Sequence, residues 1–248
     1  MTRAASIRMQ VEIALEGRIP AALSQRSQAK SSTLMVAPAE LKALTGGIPR
    51  GALTEIAGPA SSGRTAVLHS LLAAATQAQE FCALIDASDS FDPRSASEAG
   101  VLAEQLLWIR CPCGHGLERL EKALKSADML LQSGGWGVVA LDLADLPAAV
   151  VRKVPLTSWF RLRRAVEHTR TALVVVVQEF SAGASASLAL KFSPQPPDWL
   201  GGRAKLELAA HTAPLRALRT AVEVSQDRAY RKPPQSTELS FESGCAIG

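Results

Sequence analysis

One stretch decides what this chain can fold into: Gly58-Pro59-Ala60-Ser61-Ser62-Gly63-Arg64-Thr65. It follows an apolar run, Ala52–Ala57, and opens a second one, Thr65–Ala75, that reads as a helix. Strand, glycine-rich turn and helix N-terminus in that order make a phosphate-binding loop, where backbone N–H groups and the helix dipole converge on phosphate oxygens. The pattern G-x-x-x-x-G-K-[ST] is met at every fixed position except the lysine, which is Arg64. The stretch specifies a nucleotide-binding architecture and puts hydrolysis in question.

The chain has 248 residues, 47% of them hydrophobic, enough for one large α/β domain with short extensions. The net charge of +4 permits nucleic-acid contact, and a mixed solvated surface gives the same value. Aromatics make up only 4%, with one tyrosine, so a base-stacking platform is poorly supplied. No apolar stretch approaches the ~20 residues of a membrane span. Met1–Gln10 has no secretory apolar region. A cytoplasmic protein without membrane partners is expected. Four cysteines in a chain this long do not make a disulfide framework.

Apolar runs at Phe81–Asp86, Leu106–Ile109, Gly137–Leu141 and Ala172–Val177 alternate with helical spacing, as in Leu117–Gln132. The run Ala172–Val177 is nearly all β-branched, as in a strand buried on both faces. Alternation of this kind predicts an α/β domain built on a mostly parallel sheet. Leu206–Ala209 and Thr220–Val224 read as antiparallel edge strands. The expected organisation is an N-terminal helix and linker over 1–33, a core over 34–230 and a flexible tail over 231–248. The helix is placed at Ile7–Ala22 and the linker at Ser24–Thr33.

Ligands in parallel sheets bind at the carboxyl ends of strands. Polar groups end four of these runs: the loop Gly58–Thr65, Asp86, Asp142 and Gln178. Asp142 is either a solvated strand end or the acid that holds Mg²⁺ in phosphate-loop proteins, with Thr65 as the other metal-side residue. Arg64 keeps the lysine's charge on a planar, longer head. It either pairs with phosphate or is an exposed arginine on a vestigial loop.

Leu44–Pro93 resembles the core of the RecA recombinase family. Gly46-Gly47-Ile48-Pro49-Arg50-Gly51, a strand, and then Gly58-Pro59-x-Ser61-Ser62-Gly63-x-Thr65 are similar to that family's lead-in and phosphate loop. Ile85–Pro93 resembles its next motif down to the terminal Asp92-Pro93. Gln178 matches its phosphate-sensing glutamine, and Ala189-Leu190-Lys191-Phe192 a motif after its second DNA loop. The similarity covers about Leu44 to Ala210. It implies a RecA-like core of mostly parallel strands flanked by helices, with antiparallel C-terminal edge strands. It also implies ATP and Mg²⁺ held by Gly58, Pro59, Ser61, Ser62, Gly63, Arg64, Thr65, Asp92, Asp142 and Gln178.

The departures from the family lie in the chemistry. Ser88 stands where the family has its catalytic glutamate, and serine is no general base. Asp89 is adjacent, but as a strand-end neighbour is expected to point elsewhere. Ser95 stands where the family stacks a tyrosine on adenine, leaving Asp92 near the base. The second DNA loop, between Gln178 and Ala189, is short and rich in Ala and Ser. The first, around Leu146–Pro155, carries only Arg152 and Lys153 as cations. A RecA-like core altered in this way resembles the mutasome accessory proteins of the ImuA family. That resemblance implies a role in damage-induced translesion synthesis beside an inactive Y-family polymerase homologue and an error-prone polymerase, with RecA as a further partner. Direct DNA contact would be weak. Self-association or binding of a recombinase partner through Ile7–Leu23 is one reading of that helix, and folding onto its own domain the other. An active DNA-dependent ATPase of recombinase type is the rival function, and nucleotide binding without hydrolysis a third.

Cys111-Pro112-Cys113-Gly114-His115 has C-x-C rather than C-x₂₋₄-C spacing, which favours unliganded cysteines over a metal site. Trp159, Leu162 and Val166 share one face of a helix expected over Thr157–Thr169, with Arg161, Arg163, Arg164 and Arg170 outward.

Overall fold

The structure is a computed structural model that describes residues 33–34, 38–112, 114–199, 215–227 and 236–242. The expected helix at 7–22, the linker at 24–32, the strand at 206–209 and Cys113 lie outside them.

A two-residue strand β1 (Thr33–Leu34) pairs with β2 (Ile48–Pro49), and α1 (Ala39–Thr45) lies between them in sequence. Then β3 (Ala52–Ala57), α2 (Arg64–Gln77), β4 (Cys82–Asp86), α3 (Pro93–Glu98) and β5 (Leu106–Arg110) follow. The next elements are α4 (Gly116–Ser133), β6 (Val138–Asp142), α5 (Ala148–Val151), α6 (Leu156–Val166) and β7 (Ala172–Val177). The chain continues with β8 (Leu188–Pro194), β9 (Asp198–Trp199), β10 (Leu215–Asp227) and β11 (Ser236–Glu242).

The main sheet runs in the order β11-β10-β8-β3-β7-β6-β4-β5, with β9 on β10. Strands β3 to β8 pair in parallel, and β10 adds on antiparallel, as the sequence pattern predicts; β11 follows β10, also antiparallel. The central strands are mostly apolar because both faces are covered. On one face Ile56, Leu84, Ala140 and Val174 pack with Leu68, Leu71 and Leu72 of α2. On the other, Leu53, Ile85, Leu141 and Val175 pack with Leu120 of α4 and Trp159 of α6.

The strand starts are fixed by a side chain. Arg50 donates to both carboxylate oxygens of Glu80, at 3.0 and 2.8 Å, and to the carbonyls of Gly137 and Arg170, at 3.3 and 2.9 Å. A planar guanidinium with several donors can tie these segments together where lysine could not. With the amino ends of β3, β4, β6 and β7 held, their carboxyl ends present the polar residues side by side.

Two expected boundaries need correction. Helix α6 buries Trp159, Leu162 and Val166 on one face as predicted, but ends at Val166 rather than Thr169. Glu167 leaves the helical region and His168 turns left-handed at φ 65°, which stops the ladder. Residues 231–248 do not all form a flexible tail, because 236–242 make β11 along β10. Alternation places Leu239 in the core at 1% exposure, with Phe241 packed against it. Burial of two apolar side chains and a paired edge outweighs the polar composition that suggested a tail.

Candidate functional site

The loop after β3 has the backbone of a phosphate cradle. Ser61 (φ 59°) and Gly63 (φ 85°) are left-handed, and Gly63 caps the start of α2. Such turns aim successive N–H groups at one point. A Cβ on Gly58 would lie 2.8 Å from the carbonyl oxygen of Phe192, so only glycine lets β3 leave beside β8. A Cβ on Gly63 would lie 3.3 Å from Phe241 of β11 and from Thr220 of β10. Ser62 is fully buried, its Oγ without a partner among the described residues, while Thr65 is exposed in the first turn of α2.

Arg64 is not the exposed arginine of a vestigial loop. It is buried, at 5% exposure. Its guanidinium donates to the carbonyl of Gly58, to the carbonyl of Ala144 at 3.1 Å and to Asp145 Oδ1 at 3.3 Å. The cation that the phosphate loop supplies is turned onto the protein's own oxygens.

Asp142, at the end of β6, is not a solvated strand end either. It is 9% exposed, and Oδ1 accepts from the Ala144 amide at 2.9 Å. Burial pushes its carboxyl up to about 6, and the neighbouring Asp86 and Asp145 add to that.

At the end of β4, the Asp86 carboxylate is used up as a scaffold. It accepts from the amides of Ser88, Ser90 and Phe91 at 3.2, 3.1 and 2.9 Å, and from Trp108 Nε1 at 3.3 Å. Ser88 therefore sits in a turn held by Asp86, with its Oγ buried and without a partner among the described residues. Asp89 does point elsewhere: it forms a two-point pair with Arg110 at 2.6 and 2.9 Å. Those hydrogen bonds hold its carboxyl below the ordinary range, so it is a weaker base still. Arg110 in turn lies over Trp108, 4.9 Å from the ring centroid.

Asp92 caps α3, accepting from the amides of Arg94 and Ser95 at 3.2 and 3.1 Å and from Ser95 Oγ at 2.5 Å. Thr65, Asp92, Ser95 and Asp142 border one cavity of about 160 Å³, joined there by His69 and Asp145. Burial pushes the His69 imidazole below its ordinary value, against the opposite pull of Asp92. Pro59 lies on the exposed side of the loop, and half-buried Gln178 follows β7, whose Val177 carbonyl accepts from the Gly58 amide at 3.2 Å. The loop residues, Asp142 and Gln178 thus collect at neighbouring strand ends.

The two segments expected to be loops at this end are packed. Residues 146–155 contain α5, with Leu146, Val151 and Val154 in the core. After β7, the buried carboxylate of Glu55 accepts from the amides of Ser181 and Ala182 at 2.7 and 3.0 Å and from Ser181 Oγ at 3.0 Å. Two of the outward arginines of α6 are also engaged, Arg161 with Asp128 at 3.4 Å and Arg163 with Glu167 at 3.0 Å. Cys111 is buried, and burial raises its thiol.

Sequence reasoning passed over Asp145 and Glu55. Glu55 had a signal, a lone acid inside a buried strand pattern. Asp145 had none, because its partner Arg64 is 81 positions away.

The fold and site define a phosphate-loop protein of the mostly parallel α/β class. Residues 22–157, more than half of the 248, match the family described as RecA N-terminal domain, and the chain belongs to that family. It is 39% identical over 111 residues to Protein RecA of Laribacter hongkongensis, a stretch of 45% of this chain and 29% of that protein. Protein RecA of Kineococcus radiotolerans gives the same identity and coverage. Protein RecA of Rickettsia massiliae is 39% identical over 97 residues, 39% of this chain and 26% of that protein. The matched stretch spans less than a third of the length of these relatives.

Proposed function

We propose that this chain is a RecA-like accessory protein of the DNA-damage response, acting in error-prone translesion synthesis through protein partners, with ATPase activity weak or lost. The carrying observation is Ser88 in place of a carboxylate, in a turn where Asp86 is taken up by backbone amides and Asp89 is paired with Arg110. Without a base, an attacking water loses the typically 10²–10⁴-fold of general-base catalysis. Support also comes from the short, packed segments 146–155 and 178–187, which leave little chain to reach into DNA.

The fit to ATP and Mg²⁺ is partial. Loop amides, Thr65 and Asp142 suit a phosphate and its metal, and Asp92 and Gln178 flank them. The adjoining cavity of about 160 Å³ falls short of the roughly 300 Å³ at which small-ligand sites begin, and Ser95 has no ring to stack on a base. Hence no hydrolytic step is assigned to these residues. Retained Thr65 and Asp142 on one cavity favour the alternative, a DNA-dependent ATPase of the recombinase type.

The partners of this reading are an inactive Y-family polymerase homologue, an error-prone polymerase and RecA, with self-association as an added property. Co-purification of the full chain with the polymerase homologue tests it. A stable complex that survives Asp142→Asn is expected. Absence of a complex, with DNA-stimulated ATP turnover by the chain alone, would replace this reading with the alternative.

A further inference from the structure

We propose that Arg64 and Asp145 form a latch that holds the phosphate loop and the segment after β6 closed on each other without nucleotide. The inference stands on geometry alone and does not require the adaptor reading.

Strands β3 and β6 are not neighbours, because β7 lies between them. The Gly58 amide and the Leu143 amide each bond to β7, at the carbonyls of Val177 and Val176, at 3.2 and 2.9 Å. Arg64 supplies a direct link from one side of β7 to the other. Its guanidinium reaches back to Gly58 at the loop's start and across to Ala144 and Asp145. Five N–H donors in a rigid fork can serve two carbonyls and a carboxylate together; an ammonium at this position has three donors at one point.

A guanidinium at 5% exposure must have its donors satisfied and its charge opposed. The carbonyls provide the first, and Asp145 the second. Asp145 is 52% exposed on its side chain, so it can be replaced with little cost to the core. It is a positioning residue, acting through Arg64. The cation that would meet an outer phosphate is thereby already engaged, and opening of either segment loosens the other.

Hydrogen exchange on the nucleotide-free full chain tests the latch, followed by mass spectrometry over residues 58–63 and 143–147. Asp145→Asn should speed exchange in the distant segment 58–63 by about two- to fivefold, the range of a half-exposed ion pair. Arg64→Lys should speed 143–147 by more than that. The double variant should exceed Arg64→Lys alone by little, since both changes break one contact. Changes confined to the substituted segment, or additive changes in the double variant, would each overturn the latch. If Arg64→Lys fails to fold, Asp145→Asn decides alone, through its effect on residues 58–63.

Discussion

Two turns leave the carboxyl ends of β3 and β4, and they have kept different things. In residues 58–65 the shape is set by backbone: glycine at 58 because a strand is too close, left-handed turns at Ser61 and Gly63, and a helix start. In residues 86–92 the shape is set by one side chain, Asp86, which gathers three amides and an indole N–H. Both turns retain the residues that fix their course. In the first, Arg64 turns inward onto the protein's own oxygens; in the second, the Ser88 hydroxyl meets no partner among the described residues. The residues that shape these turns and the residues that would act in them are different sets.

Substitutions should separate the two sets. The largest effect is expected from Asp86→Ala, which removes the buried carboxylate that four part-buried donors of the turn share. A loss of about 3–4 kcal/mol in unfolding free energy is expected from denaturant titration. A loss under 1 kcal/mol would mean that the turn does not depend on this carboxylate. Gly58→Ala comes next, at about 2–3 kcal/mol, because its Cβ meets a backbone carbonyl that cannot rotate away. Equal stability to wild type would show that the β3–β8 approach is loose.

Asp142→Asn should act in the opposite direction. Burial raises the carboxyl from 3.8 to about 6, so the folded state holds the proton more tightly than the unfolded one. That contributes stability below about pH 4, which is lost as pH rises through 6. Asparagine does not ionise and can still accept from the Ala144 amide. The variant should therefore be more stable than wild type by about 1–3 kcal/mol at pH 8, with the gap closing near pH 4. A gap independent of pH would contradict a buried, titrating Asp142. The smallest effect belongs to Ser88→Ala, expected within about 0.5 kcal/mol because the hydroxyl has no partner to lose. A marked loss would give Ser88 a role that its surroundings do not indicate.

Much of this was legible in the chain, for identifiable reasons. The central strands announce themselves because a strand covered on both faces must be apolar throughout, as in Ala172–Val177. The loop is legible because its backbone tolerates few residue types. Helix α6 is legible from the spacing of Trp159, Leu162 and Val166. What sequence concealed was partnership at long range. Nothing local to Asp145 says that it faces Arg64, and nothing near Phe241 says that its ring lies against Gly63. The strand at 236–242 was hidden because a polar, half-exposed edge strand has the composition of a tail.

The central claim is that this site keeps the RecA-like architecture without the hydrolytic chemistry. Phosphate release from ATP–Mg²⁺, measured on the full chain with and without single-stranded DNA, tests it most directly. The account predicts turnover that is weak or absent and does not rise with DNA. Turnover that rises with DNA and disappears in Asp142→Asn would contradict it.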